Sequence, residues 1–320
     1  MNPPLSRRTL LRNAVAAATA LVLPAPLAAC GAPSPEPASP PERDPAAPGP
    51  DPDRERLLAW TAGVRAAGLH RPELPLGRGA ARVGELAVGT PYEPFTLEAY
   101  LKAGGSPSRT EPLTLSLTRF DCVSLVEACI AIARVAATEG APTWERFGGE
   151  MERQRYRGGE RRGYTSRLHY FSEWIADGER RSLLRDLGTE LGGEEDARPL
   201  RFMTEHRGSY PALADDDVFR EIGAMERGLD SEPRWVIPAA RIPEVSDRIQ
   251  TGDVLAFATA IEGLDVTHSA FAYRDAAGVL RVLHAPLSGG AVEVTRSTLP
   301  EYVAAIRRST GILVARPLRV

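Results

Sequence analysis

At Trp235 the apolar pattern of this chain changes period, and that change limits the folds open to it. From there onward six short runs rich in branched or aromatic residues, at 235–238, 253–257, 266–273, 279–284, 291–294 and 311–316, are separated by Gly, Asp and Pro. They predict an antiparallel sheet. Before Trp235 the three-and-four spacing of helices dominates. One helix is expected over 54–69, with Leu57, Leu58, Trp60, Val64 and Ala67 as its apolar stripe, and another over 78–88, ended by Gly89. A third opens at Cys122 and buries Leu125, Val126, Cys129, Ile132, Ala133 and Ala136. Helices early and strands late predict an α+β domain whose sheet packs on the Cys122 helix. Residues 179–230 add only a helical signal around 218–229 and a turn at Tyr210-Pro211.

Asp121 can cap the third helix, which places Cys122 in its first turn. There, unpaired N–H groups and the positive end of the helix dipole favour a thiolate. A small buried hydrophobe is the alternative reading of such a cysteine, and position alone does not separate the two. A base downstream does. His268 and His284 lie in two runs joined by the short link 275–278, which makes the runs a hairpin. With the turn centred on Ala276 the histidines are directly opposite; centred on Ala277 they are diagonal neighbours on one face. Either register brings the rings into contact, so a nucleophile, a base and an orienting residue converge. The same three could hold zinc. That ranks second, because no fourth ligand stands at a recognisable spacing; Asp265 is the nearest candidate.

Two further segments bear on a cleft. Residues 93–118, with Gly104-Gly105-Ser106-Pro107, form a long irregular excursion of the kind that often lines one. Residues 151–167 carry six arginines, for which a solvated charged face is the ordinary reading. Arg167 is the exception. The aromatic segment 168–174 follows it at once, and it could pair with substrate carboxylates.

The N-terminus reads as a targeting segment over residues 1–29. Ser6-Arg7-Arg8-Thr9-Leu10-Leu11 is a twin-arginine pattern, and the apolar run after it is too short to span a membrane. Leu27-Ala28-Ala29-Cys30 resembles a lipobox, so Cys30 is expected to carry lipid and residues 30–53, rich in Pro and Ala, to form a disordered tether. The expected protein is exported, held at a membrane surface and facing the periplasm or cell wall, with its catalytic domain over 54–320. A net charge of −3 lends nothing to a nucleic-acid partner. Cys122 and Cys129, about 10 Å apart along one helix, are beyond reach of a disulfide and should be free thiols.

The motifs Gly89-Thr-Pro-Tyr92, Asp121-Cys-x-x-Leu-Val126, Gly252-Asp-Val-x-x-Phe257, Thr267-His-x-x-x-x-Tyr273 and Leu283-His-Ala-Pro286 occur in an order that resembles the NlpC/P60 cysteine peptidases of bacterial cell walls. Adding Arg167-Leu-His-Tyr170, Phe202-Met203 and Gly263-Leu-Asp-Val-Thr-His268, the pattern is similar to the DUF1460 branch, described as N-acetylmuramoyl-L-alanine amidase-like. The resemblance runs from about residue 54 to the end. It implies a papain-like fold with Cys122 as nucleophile, His268 as general base, His284 as the residue that orients it, and Tyr92 leaning on the site. Arg167, His169 and Asp265 join Tyr92 as substrate-binding candidates, and no metal or other cofactor is called for. The spacing from Tyr92 to Cys122 is longer than in the simplest members, which leaves the placement of Tyr92 open. Leu125 also stands where glycine is usual. The expected reaction is hydrolysis of peptidoglycan or a muropeptide at the amide between N-acetylmuramic acid and L-alanine. Cleavage between D-Glu and the diamino acid, or an inactive wall-binding lipoprotein, are the alternatives; intact Cys122, His268 and His284 argue against the last.

Overall fold

A computed structural model describes residues 51–107, 111–287 and 290–319 of the chain; the targeting segment, Cys30 and the tether as far as residue 50 lie outside them. The first helix, Pro52–Ala66, starts just before the expected position, because the Asp51 side chain accepts the N–H groups of Asp53 and Arg54 and Pro52 needs no such partner. Leu57, Trp60, Thr61 and Val64 are buried, while Leu58 points outward. With the helix Leu76–Ala87 it packs against the helix Cys122–Ala137.

That central helix is buried all round from Leu125 to Ala136, more than the single stripe read from its spacing. Two helices, the sheet and the helix Trp144–Arg155 surround it. Complete burial traps two charges, and both find partners. Glu127 meets Arg155 at 2.8 Å with each side chain 2% exposed, and Arg134 donates to the Leu183 carbonyl at 2.8 Å. Arg155 therefore leaves the expected solvated face, as does Arg157, which pairs with Glu173.

Eight antiparallel strands form the sheet: β1 Leu184–Asp186, β2 Glu194–Glu195, β3 Trp235–Pro238, β4 Val254–Thr259, β5 Val266–Arg274, β6 Leu280–His284, β7 Glu293–Val294 and β8 Ser309–Pro317. Their order is β2-β3-β8-β4-β5-β6-β7, with β1 also paired to β8. The six expected strands are all present. β1 and β2 were not expected, since pieces of three and two residues carry no readable alternation.

Side-chain alternation buries both faces. Val254, Ala256, Phe271, Leu283, Leu313 and Ala315 face the Cys122 helix. Leu255, Phe257, Ala270, Val282, Ile312 and Val314 pack on the other side with Leu299 and Val303 of the helix Leu299–Ala305 and with Ile242 and Val245. A third cluster, including Tyr164, Tyr170, Leu200, Leu213 and Ile222, builds the region around the helix Asp216–Gly228. Among the described residues no helix is long and apolar enough to cross a membrane.

Gly252, just before β4, has φ +89°, and a Cβ there would lie 1.9 Å from the Gly77 carbonyl oxygen. Gly278, in the β5–β6 turn, has φ +79° but open space around it. Gly278→Ala should cost about 1–2 kcal/mol for the left-handed backbone alone, and Gly252→Ala clearly more, because helix and sheet must also separate. Urea unfolding of both variants checks this; equal costs would contradict the close approach at Gly77.

Candidate active site

The start of the central helix is held by a reciprocal cap: the Ser124 N–H donates to Asp121 Oδ1 at 2.7 Å and the Asp121 N–H to Ser124 Oγ at 2.9 Å. Tyr92 is brought up beside it. Glu93 N–H donates to the Phe120 carbonyl at 2.9 Å and Phe120 N–H to the Pro91 carbonyl at 3.0 Å, so the excursion leaves and returns at one point. Tyr92 therefore stands near Cys122, outside the lining of the cavity that Cys122 borders. Burial and the neighbouring Cys122 and Asp121 push the Tyr92 phenol up to about 12.

Burial, seconded by the Asp121 carboxylate, pushes the Cys122 thiol up to about 11, against the Ser269 N–H and hydroxyl and the Val123 N–H. The resting group is therefore a thiol, and the helix-end preference for a thiolate is outweighed by desolvation. Cys122 and Cys129 are both free, as expected.

β5 and β6 pair Phe271 with Leu283 and Ala272 with Val282, the register of a turn centred on Ala277, so His268 and His284 are diagonal neighbours. Their rings meet edge to face, with His268 Nε2 and His284 Nδ1 2.8 Å apart. They face one another as hydrogen-bond partners, and among the described residues no group of three His, Cys, Asp or Glu side chains is disposed to hold a metal ion. A bulge adjoins the His268 position. Ala256 pairs with Ser269 but Ala258 with Val266, so Thr267 and His268 together oppose Phe257. The His268 ring stacks on Phe257, 5.6 Å between centroids and 14° from parallel, while Val266 packs on the Cys122 side. His268 Nδ1 is buried with no hydrogen bond. Burial, with His284 beside it, lowers His268 to about 3.

Cys122 and His268 line one cavity of about 160 Å³, together with Leu168, His169, Asp265 and Ser269. Thr267 and His268 also border a second cavity of about 580 Å³, shared with His284, Glu293, Tyr302 and Arg307. His268 thus stands between the two.

The remaining candidates separate. His169 lines the Cys122 cavity, its Nε2 on the Tyr164 carbonyl at 2.8 Å and its ring on that of Tyr164; burial and the Arg167 guanidinium hold it well below the usual histidine range. Asp265 lines it as well, but its carboxylate accepts the Ser172 N–H at 2.8 Å and so caps the helix Phe171–Arg180, with burial raising its pKa. Arg167 is not brought to the cavity. Its guanidinium is 2.6 Å from Glu98 and 3.4 Å from Glu111 and lies over the Tyr164 ring, an internal ion-pair cluster and not a free cleft wall.

Ser269, Glu293 and Tyr302 are not marked by any motif in the sequence, and Phe257 appears there only as the end of the Gly252-Asp-Val-x-x-Phe257 motif. One signal could have found Tyr302: Thr298-x-x-Glu301 is a capping box that opens its helix.

The chain matches the AmiA-like family, described as N-acetylmuramoyl-L-alanine amidase-like, over residues 82–312. It belongs to that family. A crystal structure of an N-acetylmuramoyl-L-alanine amidase from Bacteroides uniformis is similar at 27% identity and TM-score 0.67, covering 76% of this chain and 99% of that one. A protein from Bacteroides fragilis, provisionally named a xylanase, is 31% identical over 73% of this chain and 98% of its own, with TM-score 0.64. A DUF1460 protein from Legionella pneumophila, 17% identical with TM-score 0.58 over 83% and 96%, shares the fold. Comparison with curated proteins gives no match.

The buried histidines make acid stability a test of this amidase-like site. Below pH 6.5 the unfolded chain takes up a proton that folded His268 refuses until about pH 3. The stability due to neutral His268 is therefore present above pH 6.5 and lost as pH falls, by up to about 1.4 kcal/mol per pH unit. Urea unfolding between pH 7 and 4.5 should show a smaller loss for His268→Gln than for the wild type. Parallel curves would mean that His268 is not held neutral.

Proposed function

We propose that this protein is a peptidoglycan hydrolase of papain-like, NlpC/P60 type that uses Cys122 as nucleophile, His268 as general base and His284 to orient it. One observation carries the reading: a thiol in the first turn of a buried helix shares a small cavity with a histidine whose buried Nδ1 makes no hydrogen bond. Family membership supports the substrate class, and the Bacteroides uniformis relative's name supports the bond.

In this mechanism the thiol of Cys122 attacks the amide carbonyl as its proton passes to His268 Nδ1. Both groups are neutral at rest, so the transfer accompanies the attack. With the Ser124 N–H taken by Asp121, the Cys122 N–H at the start of the helix, which has no intrahelical partner, is the donor that would hold the oxyanion. His268 then gives the proton to the leaving amine, and water, deprotonated by the same nitrogen, releases the thioester. The bond is that between the N-acetylmuramic acid lactyl group and L-alanine. His169 and Asp265 shape the cavity that receives the substrate, Tyr92 stands near Cys122 outside its lining, and Arg167 supports the site through its ion pairs with Glu98 and Glu111.

The twin-arginine and lipobox motifs support an exported protein tethered through lipid on Cys30. It faces the periplasm or cell wall. Intact-mass analysis of membrane-extracted protein should find a mature chain starting at lipidated Cys30; another N-terminus without lipid would refute the anchor.

Digestion of defined muropeptides with mass analysis of products tests the chemistry. The wild type should release peptides beginning with L-alanine, with or without EDTA. Cys122→Ala and Cys122→Ser should lose at least about a thousandfold in turnover with a nearly unchanged thermal midpoint. Cys129→Ala should keep activity and lose about 1 kcal/mol to a small cavity. Products cut after D-Glu would replace the amidase assignment with the endopeptidase one, and activity in Cys122→Ala would remove the thiol mechanism.

A further inference from the structure

His268 can act as a base at Nδ1 only in the tautomer that carries its proton on Nε2, and something must select that tautomer. Its Nε2 faces His284 Nδ1 at 2.8 Å, so His284 has to accept there and keep its own proton on Nε2. Tyr302 helps, since its hydroxyl lies 3.3 Å from the same Nδ1 and can donate to it. The far nitrogen of His284 is buried without a hydrogen bond inside the usual limit, and the carboxylate of Glu293 stands 3.5 Å from it. This contact is built into the sheet: β6 and β7 pair His284 directly with Glu293. The Glu293 side chain is 57% exposed and borders the larger cavity, so it can rotate the few tenths of an ångström that separate contact from hydrogen bond.

We propose that Glu293 is a positioning residue which, by accepting the His284 Nε2 proton, sets the tautomers of both histidines and leaves the His268 Nδ1 lone pair free toward Cys122. A carboxylate can only accept, so the direction of each hydrogen bond follows from it: His284 Nε2–H to Glu293, His268 Nε2–H to His284 Nδ1. Were His284 protonated on Nδ1 instead, it would donate to His268 Nε2, the His268 proton would move to Nδ1, and the base would be lost. Glu293 acts through two rings and touches neither substrate nor thiol. The proposal rests on the Cys122–His268 reading above for its kinetic consequence and not for the tautomers themselves.

The test uses the folded chain with Glu293→Gln, which keeps an acceptor oxygen, Glu293→Ala, which removes it, and Glu293→Lys, which offers only donors. Nitrogen-15 NMR of the imidazoles reports the tautomers, and muropeptide hydrolysis reports kcat and KM. His284 should be protonated on Nε2 in the wild type and Glu293→Gln, and on Nδ1 in Glu293→Lys. Turnover should stay near wild type in Glu293→Gln and fall about tenfold or more in Glu293→Lys, with Glu293→Ala between, and KM should hold within about twofold, since no binding contact is removed. An unchanged His284 tautomer in Glu293→Lys, or equal kcat across the series, overturns the role of Glu293. Cys122→Ala measured alongside keeps the two ideas apart: if it still turns over, the nucleophile assignment has failed, whereas an inactive Cys122→Ala beside an insensitive Glu293 series removes the relay alone.

Discussion

The register of β5 against β4 is the constraint on which the site depends. Ala256 pairs with Ser269, which sets Ser269 on the face of the Cys122 helix and His268 on the face of Phe257. Ser269 consequently lies against the Cys122 thiol, and His268 lies where the two cavities meet. A bulge next to His268, two residues of β5 against Phe257, then brings Val266 back onto the Ser269 face. A regular ladder would set Val266 and His268 on one face and Thr267 beside Ser269. The central helix depends on the same strand, since Phe271 belongs to its core and Gly252 allows the helix Leu76–Ala87 to approach the sheet.

Burial then decides the electrostatics. The helix N-terminus favours a thiolate by a fraction of a charge, worth up to about 2 kcal/mol in partly buried settings. Desolvation works against it and wins, raising Cys122 and lowering His268. In the proposed mechanism, a neutral thiol and a neutral imidazole that line one cavity react only when a carbonyl arrives, because no ion pair has to be desolvated or broken first. That mechanism would make the placement of one proton on His268 decisive, which is where the proposed roles of His284, Tyr302 and Glu293 enter.

Much of this was legible in the sequence for physical reasons. Burial on one helical face writes a three-and-four pattern, and a sheet buried on both faces writes dense runs of branched residues; the Cys122 helix, its Asp121 cap and six strands were readable from these alone. So was the pairing of His268 with His284, since the two registers read from the short turn, with centres one residue apart, both keep the histidines on one face. What sequence spacing does not record is partnership across long separations. Arg167 stands next to an aromatic segment and looks available, yet Glu98 and Glu111, more than fifty residues upstream, neutralise it. Arg155 hides in the same way behind Glu127. Asp265 reads as a lone carboxylate before a strand until Ser172, on another element, is seen to need a cap. Glu293 and Tyr302 lie on a two-residue strand and a short helix, whose patterns are too brief to mark a site.

The most direct test of the central claim is to quench a muropeptide reaction within a single turnover in acid, digest the protein and map any covalent adduct by mass spectrometry. A thioester on Cys122 carrying the sugar-lactyl half of the substrate is the predicted result, with Cys129 unmodified. An adduct elsewhere, or release of product with no acyl group ever found on Cys122 under conditions that preserve a thioester, would contradict it.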